Sequence, residues 1–412
     1  MARELRWTRL RAQVLAVACL GLVLNLVLQP VRALRDFADT DFVNFLAAAR
    51  IRNAGGCLYC PDAQHSATAA VLGLPHPVSG VRFVSPPLVA AAFQPLTRLQ
   101  PRQALVLFLV VSLLAMAAAA WLIARSLLPS IESLPLRAAV VCVAVASMPA
   151  SWGIALGQLD PILFLLAVAG LVLAPRWPVL GGALLGVLAV KPQLFLLVPV
   201  ALLIGRNGRM LLGAAITGAL IVVSTVWMLG PSHALDWPRF VASQYGDVTS
   251  HSVSAAVHIG RLAGSTAVTN LTSGVLLALS VVALWLCRDL LRDGFAAVAL
   301  ALALTAVATV HLLPYDILLL ALPLAFLART HAARAIVAAL LLSAAYAIDS
   351  SVSPEAAPLE TLLVAVAMAM ALAGAAQHLR DRRSAPLVGP RPLDGVDGAD
   401  LVPVRERGWR QP

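Results

Sequence analysis

Blocks of apolar residues, almost free of charge, recur along the whole chain. They fall near 11–29, 103–124, 136–151, 158–174, 178–190, 192–204, 210–229, 271–287, 294–310, 312–328, 333–348 and 359–378. Most approach the ~20 residues a helix needs to cross ~30 Å of hydrocarbon. Inside lipid, backbone groups must be satisfied within a helix or a closed barrel. The alternating ten-residue segments of a barrel are absent. The pattern predicts an all-α polytopic membrane protein with about 12 transmembrane helices.

Some stretches depart from this rhythm. "FVSPPLVAAAFQPL" (83–96) is apolar but short, and reading it as a span would invert everything after it. It is expected to be interfacial or re-entrant. The blocks at 178–190 and 192–204 are also short. They flank "VKPQ" and suggest a broken pair around a cavity, where irregular backbone is tolerated at depth. Two long polar segments, 30–102 and 230–270, separate groups of spans. The first block, "MARELRWTRLRAQVLAVACLGLVLNLVLQP", is not followed by a small-x-small cleavage site, so a retained helix is expected. Residues 1–380 read as one membrane domain. The tail 384–412 is rich in Pro, Gly, Asp and Arg and is expected to be disordered.

Charge sets the orientation. Only 12% of the 412 residues are charged, 60% are hydrophobic, and the net charge is +10. The excess does not indicate nucleic-acid binding, because the arginines sit in short connections between apolar blocks. Arg3, Arg6, Arg9 and Arg11 precede the first block. Arg125 and Arg137, Arg176, Arg206 and Arg209, Arg288 and Arg292, Arg329 and Arg334, and Arg380, Arg382 and Arg383 occupy alternate connections. The positive-inside rule places these connections, and both termini, in the cytoplasm. The intervening connections and both long segments then lie outside.

Polar residues converge on that outer side. Asp36, Asp39 and Asp41 follow the first block. Gln158 and Asp160, Lys191, and His311 with Asp316 stand at later outer turns. Ionisable groups at the membrane boundary are costly and commonly functional. Asp41 opens an amphipathic stretch in which Phe42, Phe45, Leu46 and Ala49 share a helix face. Thr40 is a good N-cap, which places Asp41 in the first turn, where the dipole favours a carboxylate. Such a carboxylate can take a proton from a hydroxyl, or can simply start the helix. Asp36 and Asp39 read first as solvated loop charges, with Asp39 kept as a cavity candidate. Lys191 is the only lysine of the 30 basic residues. It can meet a phosphate as a point charge or snorkel to the interface. His311 can neutralise or protonate a phosphate oxygen or pack as a structural histidine. Asp316 can orient it or cap a helix. Cys57 and Cys60 in "CLYC" can form a local disulfide in an oxidising compartment or remain thiols. Cys19, Cys142 and Cys287 lie in apolar runs. His233, His251 and His258 share the second outer segment with Trp237, Tyr245 and Arg261. No Cys/His metal pattern and no Gly-rich phosphate loop is present, so no metal and no cofactor is expected.

Several blocks together carry a family resemblance: "DFVNFLAAARIRNAGGCLYCPDAQ", "FVSPPLVAAAFQPLTRLQPRQAL", "GQLDPILFLLAVAGLVL", "GGALLGVLAVKPQLFLLVPVALL" and "HLLPYDILLLALPLAFL". In order and spacing, over most of residues 10 to 330, the chain resembles glycosyltransferase family 87. The resemblance implies a GT-C-like bundle with interfacial helices in the first extracytoplasmic loop. It also implies a bacterial plasma-membrane enzyme that transfers mannose, with inversion, from a polyprenyl-phosphate sugar donor. The acceptor would be a glycolipid or lipoglycan, with membrane lipids as further partners. By the same resemblance Asp41, standing before Phe45, would be the general base. Lys191 and His311 would hold the donor phosphate, and Gln158 would line the cavity beside Asp160 and Asp316. At "LYCPDAQ" the chain departs from an expected "LYDP": Cys60 stands for an aspartate, with Asp62 as its possible substitute. The competing reading is a transporter or lipid-sugar flippase, which would show two-fold internal similarity and midplane charges in both halves.

Overall fold

The computed structural model describes residue 20 and residues 27–78, 82–128, 131–244 and 252–330. The expected spans at 333–348 and 359–378, nearly all of that at 11–29, the tail 384–412, and Tyr245 and His251 lie outside the described residues.

The described residues are helical throughout, without strands. After a helical stub at 27–35 come α1 (Asp41–Asn53), α2 (Pro61–Leu72) and α3 (Pro87–Phe93), which build the first long segment. α4 (Pro101–Leu122) follows, then α5 (Leu134–Ala146), α6 (Met148–Ala155), α7 (Asp160–Leu173) and α8 (Pro178–Gly186). α9 (Pro192–Phe195) and α10 (Val198–Ile204) lead to α11 (Gly208–Leu229). The second long segment holds α12 (Asp236–Ser243) and α13 (Ala255–Leu262). α14 (Thr266–Leu286), α15 (Gly294–Ala308) and α16 (Ala321–Thr330) complete the bundle.

Twelve full spans are not what these residues build. Three helices are long and apolar enough to cross a membrane: Pro101–Leu127, Gly208–Leu229 and Thr266–Leu286. A fourth forms if α5 and α6, bent by 56° near Pro149, count as one. The blocks at 158–174, 178–190, 192–204 and 294–310 are shorter apolar helices. The block at 312–328 resolves into a loop, a 3₁₀ turn (Asp316–Leu320) and the start of α16. Hydropathy alone could not separate these cases, because a buried core helix is as apolar as a lipid-facing one. α15 is buried on every side from Phe295 to Ala306, as expected of a helix that is hydrophobic all round. α4, α11 and α14 instead present Leu114, Leu220, Trp227 and Leu279 on the exterior, where hydrocarbon is their natural solvent.

The helices alternate between two ends of the bundle. α7 starts at Asp160 and finishes near Ala174. α8 starts at Pro178, and its 3₁₀ continuation delivers the chain to Lys191. The chain breaks there because Pro192 follows: Lys191 takes φ −117°, ψ 81°, outside the helical region that a following proline disfavours. α8 and α11 approach closely through glycine. A Cβ on Gly182 would lie 1.9 Å from the Met210 carbonyl oxygen, and one on Gly213 1.9 Å from that of Val179. Small residues at crossings are how helices without a hydrophobic driving force come into contact.

The first long segment also differs from its sequence reading. α1 is not a half-exposed interfacial helix. Its residues Phe42 to Ala49 and Ile51 are all buried, Asn44 included, because α2, α3 and the 3₁₀ turn Gln94–Arg98 roof it. Phe42, Phe45, Phe93 and Phe108 form an aromatic cluster with centroid separations of 5.1–5.9 Å, in the favourable range for ring pairs. α3 has seven residues, far too few to cross, in keeping with the short reading of 83–96.

Candidate active site

Asp41 is placed by a turn from a distant part of the chain. The backbone N–H of Asp41 donates to the Leu156 carbonyl (2.8 Å). The turn that supplies Leu156 continues through Gly157 at φ +66°, a conformation natural to glycine. A Cβ there would lie 2.7 Å from the Phe42 Cβ. Next in the chain, Gln158 donates through Nε2 to Asp41 Oδ2 in a short hydrogen bond. Asn44 Nδ2 reaches Asp41 Oδ1 at 3.4 Å. Thr40 occupies the N-cap position but does not cap. Its hydroxyl donates to the Phe37 carbonyl instead (2.8 Å), so the first turn of α1 relies on its dipole and on Leu156. Burial pushes the Asp41 carboxyl above its ordinary value, against the opposing pull of the Gln158 hydrogen bond, the Lys191 charge and Asn44.

Three further elements complete the cluster. Lys191 Nζ donates to Asp160 Oδ2 at 2.6 Å and to Asp316 Oδ1 at 2.9 Å. Asp160 and Asp316 are each 1% exposed. Asp160 opens α7 and Asp316 opens its 3₁₀ turn, where helix dipoles favour carboxylates. The Leu313 N–H satisfies Asp316 Oδ2 (2.8 Å). Asp160 Oδ1 is buried without a hydrogen-bond partner among the described residues. Tyr315 carries its ring 4.6 Å from Lys191 Nζ and lies within electrostatic reach of Asp41, Asp160 and Asp316. His311 lies within reach of Asp316. Its segment is anchored by the second long segment: Leu312 N–H donates to Ser252 Oγ (2.9 Å) and Val253 N–H to the Leu312 carbonyl (2.7 Å).

Asp41, Gln158, Asp160, Lys191, His311 and Asp316 therefore meet at one end of the bundle. Asp39 and Asp62 do not join them. Asp39 is exposed in a cleft of about 130 Å³ lined also by Arg32, Asp36, Thr40, Trp152 and Leu156, which Asp41 does not line. Asp36 is paired with Arg35 (2.8 Å), and Asp62 is exposed in the first turn of α2. Cys57 and Cys60 form a disulfide ahead of α2. His233 pairs with Asp236 (2.8 Å) at the surface, away from the cluster.

Two residues escaped the sequence reading. Tyr315 stands inside the quoted "PYD" but offers no charge to single it out. Gln64 is buried and clamps the loop between α2 and α3. Its Nε2 donates to the Leu58 carbonyl (2.8 Å), and its Oε1 accepts from Phe83 N–H (3.1 Å). Tyr59 and Trp237 bond the same loop through the Ser85 and Val84 carbonyls (2.8 and 2.9 Å). Nothing in a helical periodicity distinguishes such a glutamine from a solvated one.

A helical bundle with lipid-facing spans and buried carboxylates gathered at one end defines an integral membrane protein with a polar centre at its boundary. The family profile named Glycosyltransferase family 87 matches residues 83–314. That is more than half of the chain, which belongs to this family and is a membrane glycosyltransferase. No characterised protein and no solved structure matches it in the corresponding comparisons.

Proposed function

We propose that the protein transfers a mannosyl residue from polyprenyl-phosphate-mannose to a lipid-linked or cell-envelope glycan acceptor. The reaction takes place on the extracytoplasmic face of a bacterial plasma membrane, with both termini cytoplasmic, and inverts the anomeric carbon. Asp41 is the general base. The observation that carries this reading is its carboxylate, held by Gln158 and Asn44 at the start of a buried helix and within electrostatic reach of Lys191. The acceptor hydroxyl gives its proton to Asp41 as its oxygen bonds to the anomeric carbon. The carbon–oxygen bond to phosphate breaks on the opposite side, and polyprenyl phosphate leaves with the electron pair.

The surroundings of Lys191 refine its assigned role. Two of its three N–H donors already serve Asp160 and Asp316, so one remains for a donor phosphate, with His311 as the second contact. Three carboxylates around one ammonium disfavour an anion unless a proton is shared among them. Asp160 Oδ1, an acceptor without a donor, suits a sugar hydroxyl better than a phosphate, since a buried unsatisfied oxygen is expensive.

Membranes containing the protein, incubated with labelled polyprenyl-phosphate mannose, should pass label to a lipid-linked product. Asp41→Asn should abolish turnover and leave donor binding nearly intact. Full activity in that variant rejects the assignment. Translocation of labelled donor without bond cleavage favours a flippase.

A further inference from the structure

A cavity of about 810 Å³ opens at the other end of the bundle. The separation follows from the helices themselves. α7 runs from Asp160 in the polar cluster to Leu171 in the cavity wall, and α15 from Gly294 in the wall toward His311. At 1.5 Å per residue each covers roughly 20 Å. The proposed transfer centre makes no use of this space.

Its walls are strongly basic. Arg206, Arg209, Arg292 and Arg329 line it, against Asp293. Asp293 is already engaged, capping α15 at Phe295 N–H (2.8 Å) and facing Arg329 at 3.7 Å. Arg292 lies 3.5 Å from Asp289. Arg206 and Arg209 have no carboxylate within ion-pair distance among the described residues. The positive end of α11 adds to the field: Gly208, Arg209 and Met210 of its first turn line the cavity. Asn207 leaves that turn uncapped, since its side chain donates to the Leu291 carbonyl instead (2.7 Å). Leu127, Leu171 and Phe295 supply an apolar wall beside the charges.

The backbone of Arg206 is a further sign. It has φ +59°, the only positive φ on a non-glycine among the described residues. Glycine is the usual choice at such a helix-terminating position, and asparagine the next. Here the glycine is one residue earlier, where a Cβ would sit 2.1 Å from the Leu291 carbonyl oxygen. The left-handed position falls to an arginine, Arg206, which lines the cavity.

We propose that this cavity binds a phosphate group. The arginines take the phosphate oxygens through charge-assisted, bidentate hydrogen bonds. The source is either the headgroup of an anionic phospholipid, whose first acyl carbons meet the apolar wall, or a soluble phosphate. The site is separate from sugar transfer, so its failure leaves that reading standing.

The test uses the full chain purified in detergent. Thermal unfolding is followed with added phosphatidylglycerol, with phosphatidylcholine, or with inorganic phosphate against chloride. Phosphatidylglycerol should raise the midpoint where phosphatidylcholine does not. Its apparent affinity should fall about tenfold or more in the pair Arg206→Asn and Arg209→Gln, asparagine being chosen because it tolerates the left-handed backbone. Stabilisation by inorganic phosphate that the same pair abolishes keeps the site and assigns the soluble source. Arg292→Gln is an independent probe on a separate turn should the pair fold poorly. Sugar transfer by each variant in phosphatidylcholine, equal to the parent, certifies its fold. Equal responses to phosphatidylglycerol and phosphatidylcholine with no effect of phosphate, or arginine variants that respond like the parent, overturn the proposal.

Discussion

Asp41 is caught between opposing influences, and its titration should report them. Burial raises its pKa, while the hydrogen bond from Gln158 and the charge of Lys191 lower it. A general base works only when ionised, so turnover should fall with decreasing pH through a value above that of an exposed aspartate. Gln158→Ala removes a lowering influence, so the acid limb of the kcat/KM profile should move to higher pH. An unmoved limb would detach Gln158 from Asp41. Lys191 makes a different prediction. Its removal strands two carboxylates that are each 1% exposed, and breaking a buried pair costs about 3–5 kcal/mol. Lys191→Ala should therefore lower the thermal midpoint sharply, and a second change, Asp160→Asn, should restore much of it. Loss of donor binding without loss of stability would instead mark the lysine as a pure phosphate contact. Most of these residues were legible in the sequence, because charge is rare in this chain and each charge stands at a break in an apolar block. The pairing was not. Lys191 of "VKPQ" stands 31 positions after Asp160 of "QLDP" and 125 before Asp316 of "PYD", and periodicity says nothing about which turns meet.

Elements position the base more tightly than its neighbours in sequence do. The first turn of α1 is held by Leu156, from the turn between α6 and α7, rather than by the Thr40 hydroxyl that the sequence suggested. That turn depends on Gly157. Alanine there would adopt φ +66°, at about 1 kcal/mol, and would bring a methyl 2.7 Å from the Phe42 Cβ. Gly157→Ala should destabilise by roughly 2–3 kcal/mol and depress kcat more than donor binding, because the strain displaces Asp41 and Gln158 together. A stable variant with normal kcat would show that the turn does not position the base. The amphipathic reading of α1 failed for a related reason. Phe42, Phe45, Leu46 and Ala49 mark one apolar face, but Ala47, Ala48 and Val43 around the rest of the wheel are small or apolar enough to accept α2 and α3 against them. A local pattern records what a helix can bury. What eventually covers it is decided by distant segments.

At the scale of the whole molecule, the arginine pattern and hydropathy carry different information. The apolar blocks suggested twelve spans, yet the described residues contain three full-length candidates, or four with the bent pair. A run of leucine and alanine cannot tell lipid from protein core. The arginines carry a vectorial signal instead, because moving each across hydrocarbon is costly and short connections keep them on one side. Arg206, Arg209, Arg292 and Arg329 line one cavity, and Asp41, Lys191 and Asp316 share the opposite end. α11 offers a direct ruler between the two. It runs from the arginine end at Gly208 to Leu229, roughly 33 Å at 1.5 Å per residue, enough to cross the hydrocarbon layer. Arg209, in its first turn, and Ser232, just past its other end, are both exposed. In a parent with Cys19, Cys142 and Cys287 changed to Ala, cysteine at 232 should react with an impermeant maleimide added outside intact cells. Cysteine at 209 should react only after permeabilisation. Labelling of both from the same side would mean that α11 does not cross, and the transfer centre would lose its extracytoplasmic address. The reverse pattern, with 209 reacting from outside, would place Asp41 at the cytoplasmic face, where nucleotide sugars rather than polyprenyl-phosphate donors would become the natural substrates to test.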